Sequence, residues 1–258
     1  MNLVKQKLQQ GQKTVGGFLQ TLSPVAAEIM SQSGFDWLIV DLEHAPGDFA
    51  NLQLQLQAMN GSAVIPFARA PWNDEVAIKR ILDTGVLGVL IPYVNTRAEA
   101  EAAVAACKYP PEGVRGVAGS PRAAGYTRNA MSYLNSANAE IIVMIAVETA
   151  EAVDNLDEIL SVAGLDGIFI GPMDLASSMG HLGNPTHPEA QEQIAIIENK
   201  VLASDKFLGT VATTADKAKV CFDKGYQWLI VMQDGAALRA AGDDAVAAFR
   251  NAYGEVPL

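Results

Sequence analysis

A chain of 258 residues, half of them apolar, can bury one large core or two smaller ones, and needs neither a disulfide nor an ion merely to fold. Its net charge of −11 opposes phosphate backbones, which argues against a nucleic-acid partner. No apolar run approaches the roughly 20 residues of a membrane span, Met1 to Lys13 lacks a signal-peptide core, and Cys107 and Cys221 have no metal-ligand neighbours, so a cytoplasmic protein with reduced thiols and no membrane partner is expected.

Thr14 to Gln20 is a first short apolar segment. Ser23 then reads as an N-cap with Pro24 at the first helical position, and Gly34 stops that helix after about Gln32. Asp36 to His44 is the second predicted strand, and its last four residues include three that ionise. A helix from Asp48 to Met59 leads to a third strand, Val64 to Arg69. Asn73 is placed as the cap of a helix ending near Asp83, closed by Gly85. Leu87 to Pro92 is the fourth strand, and an Ala/Glu helix runs from Thr96 to Lys108. After the turn cluster Tyr109–Gly113, the stretch 115–139 has no clear period. It reads as a long loop with at most a short helix near Met131. Loops of more than about 15 residues are usually functional.

Ile141 to Glu148, Gly167 to Gly171, Phe207 to Val211 and Trp228 to Met232 complete the strand candidates, and the last helix is Ala236 to Tyr253. Strands alternating with helices imply a parallel sheet. Continuous apolar runs imply that both faces are covered. Eight such units in one chain of this length point to a single (β/α)8 TIM barrel over residues 1–258. The open doubly wound sheet in its dinucleotide form is excluded, because no glycine-rich fingerprint follows the first strand.

A barrel carries its chemistry where strands end. The residues placed there are Asp41, Glu43, His44, Arg69, Glu148 and Asp174, with Asp83 one step before the fourth strand. One carboxylate at a strand end can simply solvate it. Several at separate ends, above strands that carry almost no charge, point to a site. Glu148 and Asp174 are the metal candidates, since oxygen donors with open positions suit Mg²⁺ or Mn²⁺. Zinc spacing is absent. Arg69 would add a fixed cation beside that ion. Such a site fits a 2-oxo acid and could stabilise an enolate. His44 is the natural base, which a nearby acid would orient, and Arg69, Asp41 and Asp83 stand with it as catalytic candidates. His181 and His187 are read as loop-packing or capping residues. Arg115, Arg122 and Arg128 are read as solvated around the long loop, unless one meets the far end of an anionic substrate. No lysine falls at a strand end, which argues against Schiff-base chemistry. Cleavage of a hydroxy-oxo acid and decarboxylation of an oxo acid both remain open.

The segments Asp41-Leu42-Glu43-His44-Ala45-Pro46, Lys79-Arg80-Ile81-Leu82-Asp83, Tyr109-Pro110-Pro111-Glu112-Gly113-Val114-Arg115-Gly116, Val147-Glu148-Thr149 and Gly171-Pro172-Met173-Asp174-Leu175, with Gly180-His181-Leu182-Gly183, occur in an order that resembles the HpcH/HpaI aldolase family. The resemblance implies a phosphoenolpyruvate/pyruvate-type barrel and a class II aldolase that releases pyruvate from a 2-oxo acid, with an aldehyde as the other product. It implies a homohexamer that exchanges its terminal helix between subunits. It further implies His44 as base with Asp83 as partner, Arg69 steadying the enolate, and Glu148 and Asp174 holding Mg²⁺, Mn²⁺ or a similar ion such as Co²⁺. The backbone from Gly171 to Asp174, around Met173, would receive the pyruvate carboxylate. Two positions depart from the family pattern. Ala146 stands where a substrate-touching glutamine is common, and Met173 where many relatives have a small residue.

Overall fold

The computed structural model describes residues 1–254. The strands are β1 Thr14–Leu19, β2 Trp37–Asp41, β3 Ile65–Arg69, β4 Gly88–Ile91, β5 Ile142–Val147, β6 Gly167–Ile170, β7 Phe207–Val211 and β8 Trp228–Gln233. They pair in parallel in sequence order, and β8 closes on β1. The helices are α1 Leu3–Gln9, α2 Pro24–Ser31, α3 Phe49–Ala58, α4 Glu75–Asp83, α5 Arg97–Cys107, α6 Ala130–Glu140, α7 Ala150–Asp154, α8 Leu156–Leu160, α9 Pro172–Ser178, α10 Pro188–Leu202, α11 Ala215–Lys224 and α12 Asp234–Tyr253. The expected (β/α)8 barrel is therefore the fold.

Side chains alternate across each strand, and this alternation builds two cores. Leu38, Val40, Val143, Ile145 and Val147 face outward and pack under the helices. Trp37, Ile39, Phe67, Ile142, Met144 and Phe169 face inward and fill the barrel. Trp37 and Trp228 stack at 3.7 Å, with Phe169 edge-on to Trp228 at 5.9 Å. That layer fits only because inward positions beside it are glycine. A Cβ on Gly16 would overlap the Trp37 ring, and one on Gly88 the Phe67 ring.

Two expectations need correction, and one element had not been expected. Asn2 caps α1, whose Val4 and Leu8 are buried in the barrel's inner core. The stretch 115–139 is less loop than expected, because α6 occupies Ala130–Glu140 and a 3₁₀ turn Arg122–Ala124. Only Ala137 of α6 is buried, so its sequence carries no apolar stripe to read. The cap of α4 is Asp74, not Asn73: Asp74 Oδ1 accepts the Ala77 N–H at 2.7 Å, while Asn73 donates to the Glu99 carbonyl.

Candidate active site

The inward face of each strand, followed one step beyond its apolar part, becomes the floor and wall of a cavity. Phe18 is followed by Gln20, Ile39 by Asp41, Phe67 by Arg69, and Met144 and Ala146 by Glu148. The cavity at this end of the barrel measures about 380 Å³ and is lined by Gln20, His44, Arg69, Glu148, Gly171 and Asp174, among others.

Arg69 is clamped. Its Nε and Nη2 donate to the two Asp41 oxygens at 2.9 and 2.6 Å, and its Nη1 lies 3.0 Å from Glu43 Oε2. The guanidinium sits 4.7 Å from the centre of the Phe18 ring. Asp41 is fully buried and also accepts from Gln20 Nε2 at 2.8 Å and from the Glu43 and His44 backbone amides. Burial would raise the Asp41 carboxyl, but the hydrogen bond and charge of Arg69, helped by Gln20 and the Glu43 amide, hold it below its ordinary value. Asp41 therefore fixes Arg69 rather than facing the cavity. For Glu43 the balance is reversed. Burial raises its carboxyl, and Arg69 and His44 only partly oppose that.

Glu148 and Asp174 both line the cavity. Glu148 is only 3% exposed, and burial pushes its carboxyl up to about 7, against one hydrogen bond from the Tyr93 amide. Asp174 lies in the first turn of α9, and its Oδ1 accepts the Tyr93 phenol at 3.2 Å. Burial, then the charge of Asp174, pushes that phenol up to about 12, so it remains a donor. Gly171 leads into the turn, where a Cβ would overlap Glu148 Oε2. With Arg69 committed to Asp41 and Glu43, no ion pair reaches Glu148 or Asp174 among the described residues.

His44 stands at the rim, its side chain 55% exposed and its Nε2 3.7 Å from Glu43 Oε2. Asp83, expected beside it, is not brought there within one chain. It ends α4 and takes the Arg115 guanidinium at 2.7 Å, lining a separate groove with Arg80, Thr84 and Arg122. Arg115 is buried, not solvated, and also reaches the Tyr133 hydroxyl. Arg122 is tied to the Thr84 and Leu56 carbonyls, while Arg128 is exposed. Ala146 does not line the cavity, because its position points into the aromatic floor. Met173 lines it and is half exposed. His187 caps α10, its ring stacks on His181 at 3.5 Å, and His181 Nε2 meets Glu189 at 2.7 Å.

Sequence reasoning missed Gln20, Tyr93, Thr213, Lys217 and Gln233. Gln20 was legible from the inward alternation of β1. Gln233 was not, because the β1–β8 register shifts between Gly16 and Gly17 and pairs Phe18 with Gln233. That irregularity turns Gln233 inward in place of Met232. Lys217, exposed in the first turn of α11, also lines the cavity.

The family model for HpcH/HpaI aldolase/citrate lyase matches residues 14–241. The chain belongs to that family. It is 41% identical over 240 residues, 93% of each chain, to 5-keto-4-deoxy-D-glucarate aldolase from Escherichia coli O139:H28. Its fold matches the crystal structure of an HpcH/HpaI aldolase/citrate lyase family protein from Burkholderia cenocepacia J2315, with a TM-score of 0.93, 33% identity, and 97% and 100% of the two chains covered. An HpcH/HpaI aldolase from Desulfitobacterium hafniense DCB-2 superposes with a TM-score of 0.89 at 30% identity, covering 100% of this chain and 98% of that one. As a member of this HpcH/HpaI group, the protein is an aldolase, a carbon–carbon lyase. No helix among the described residues is long and apolar enough to cross a membrane.

Proposed function

We propose that the protein is a divalent-metal-dependent pyruvate aldolase that cleaves a 4-hydroxy-2-oxo acid reversibly into pyruvate and an aldehyde. One observation carries this reading. Glu148 and Asp174 line the same cavity as Arg69, yet neither has a cation of its own. A carboxylate as buried as Glu148 is poorly stabilised when charged. A hard cation would supply the missing charge, and an all-oxygen donor pair suits Mg²⁺ or Mn²⁺, with Co²⁺ as an alternative. Glu148 and Asp174 would hold the ion, which when bound polarises the 2-oxo group and offsets charge on the developing enolate.

The remaining roles belong to the chain. Arg69 uses two of its roughly five N–H groups on Asp41 and pairs with Glu43 by charge, which leaves donors for the enolate oxygen. Because the clamp is already made, no reorganisation is needed as charge develops. The Met173 and Asp174 amides, at the first turn of α9, would take the substrate carboxylate. His44 would remove the 4-hydroxyl proton. The C3–C4 bond then breaks, the aldehyde departs, and protonation of the enolate at C3 gives pyruvate. General-base catalysis contributes roughly 10²–10⁴-fold, so most of the acceleration falls to charge stabilisation.

Lys217 adds a second cation at the mouth, which favours an aldehyde half that carries negative charge. We place the protein in the cytoplasm, where Cys107 and Cys221 stay free. We also propose a homo-oligomer, a hexamer by its family. Leu238, Val246, Phe249 and Tyr253 leave α12 with large exposed apolar side chains that a second copy would cover. For Asp83 to orient His44, it must come from such a neighbouring copy.

The test is a panel of hydroxy-oxo acids scored for pyruvate release. Activity should vanish with chelator, return with Mn²⁺ or Mg²⁺, and survive borohydride. Turnover indifferent to chelator would refute metal dependence. Undiminished turnover by His44→Ala would point to decarboxylation instead.

A further inference from the structure

Tyr93 follows β4 by two residues, and its backbone lies in the left-handed region at φ 51°. An L-residue with a bulky side chain adopts that conformation only when its surroundings hold it there, and such residues concentrate at functional sites. Here the surroundings are specific. The Tyr93 amide donates to Glu148 Oε1 at 2.8 Å, and its phenol donates to Asp174 Oδ1 at 3.2 Å. Its ring stacks on Trp72, with centroids 5.6 Å apart. One residue thus contacts two carboxylates that arrive from different strands, β5 and the turn after β6.

The consequence concerns the oxygens left over. Tyr93 occupies one oxygen of each carboxylate. Among the described residues no protein group donates to Glu148 Oε2 or to Asp174 Oδ2. Each carboxylate is held by one oxygen and keeps the other free. Tyr93 itself is not among the residues that line the cavity, so it acts on the carboxylates and not on the substrate.

We propose that Tyr93 is a positioning residue that presents Glu148 and Asp174 to the ion as a pair of single-oxygen ligands. This rests on the reading of those two carboxylates as the metal site. A pair held this way leaves most of the coordination shell to water and substrate, the arrangement Mg²⁺ and Mn²⁺ tolerate. Ca²⁺, which accepts two-oxygen grips from a mobile carboxylate, is disfavoured. Groups that orient metal ligands in this fashion typically contribute roughly 10–100-fold to affinity.

The experiment is Mn²⁺ titration of substrate-free protein, followed by electron paramagnetic resonance, for the wild type, Tyr93→Phe and Glu148→Gln. Tyr93→Phe keeps the ring, the Trp72 stack and the backbone amide, and removes only the bond to Asp174. The expected result is a Kd for Mn²⁺ raised about 10-fold, a Mn²⁺/Ca²⁺ preference shifted toward Ca²⁺, and kcat restored to near the wild-type value at saturating Mn²⁺. An unchanged Kd overturns the proposal. So does a normal Kd with kcat still depressed, since the phenol would then act on substrate. If the wild type binds no Mn²⁺ and Glu148→Gln changes nothing, the metal-site reading itself fails, a separate outcome. Should Tyr93→Phe not fold, Trp72→Leu removes the stacked ring while sparing both hydrogen bonds. It is expected to raise the Mn²⁺ Kd several-fold, and an unchanged value counts against the proposal.

Discussion

Replacing Glu148 by glutamine should stabilise the metal-free protein while ending its chemistry. Burial lifts the Glu148 carboxyl from 4.5 to about 7. The folded state therefore keeps the proton at pH values where the unfolded chain has released it. For an acid raised in this way, the stabilising effect is greatest near and below pH 4.5 and fades as pH climbs through 7. A displacement of that size corresponds to about 3 kcal/mol of lost stability by pH 8. Glutamine cannot ionise, and it still offers an oxygen to the Tyr93 amide. In chelator at pH 8, Glu148→Gln should therefore be more stable by up to roughly 3 kcal/mol, or about 5–10 °C in Tm for a domain of this size. At pH 5 the two proteins should melt nearly together. Excess Mn²⁺ should reverse the order at pH 8, since a ligand at 1,000 times its Kd adds about 4.1 kcal/mol to the wild type and almost nothing to the variant. Calorimetry with and without chelator at the two pH values decides the matter. A variant that melts below the wild type in chelator at pH 8, or an offset independent of pH, would refute the argument that the charge is there for a ligand.

Arg69→Ala leaves Asp41 and Glu43 buried without their cation, and urea melts should show a loss of about 3–5 kcal/mol. Arg69→Lys keeps the charge but not the fork, so it should fold while kcat falls roughly 10²–10³-fold, measured as pyruvate release. Gly171→Ala drives a Cβ into Glu148 Oε2. Calorimetric titration should show Mn²⁺ affinity weakened about 10-fold, with a smaller change in Tm. Lys217→Met should raise KM about 10-fold, roughly 1.4 kcal/mol, for substrates whose aldehyde half bears a carboxylate, and leave neutral ones unaffected; added salt should mimic it.

The barrel was legible because its strands are buried on both faces, so they stand out as unbroken apolar runs between helical patterns. The charged rim was legible for the same reason, since Arg69 and Glu148 interrupt those runs. Other features left no such trace. Helix α1 buries only Val4 and Leu8, too little to show a period. Gln233 depends on a register shift that no local pattern announces. Tyr93 reads as an ordinary residue after a strand, and its role appears only when two other strands bring carboxylates to it. Asp83 was placed beside His44 by resemblance, while in the chain its carboxylate answers Arg115, whose burial could not be read from a loop rich in Gly and Ser.

Stability and chemistry draw on one feature of this barrel, the apolar floor beneath a charged layer. Phe18 and Phe169 line the cavity from below, beside the Trp37–Trp228 stack. A floor of that kind lowers the local dielectric, which penalises an unpaired Glu148 and strengthens the pull of Arg69 on a developing negative charge. The two effects cannot be separated by changing the floor, because both scale with the same exclusion of water. They can be separated at the carboxylates. Asp41 is compensated inside the protein by Arg69, Gln20 and two amides, so its charge is already matched. Glu148 receives one amide hydrogen bond and the charge of Arg69 without a bond to it, and its carboxyl still stands raised, so it retains the electrostatic deficit that a cation would fill. That contrast between two buried acids near the same rim is what supports reading Asp41 as structural and Glu148 as held for a ligand.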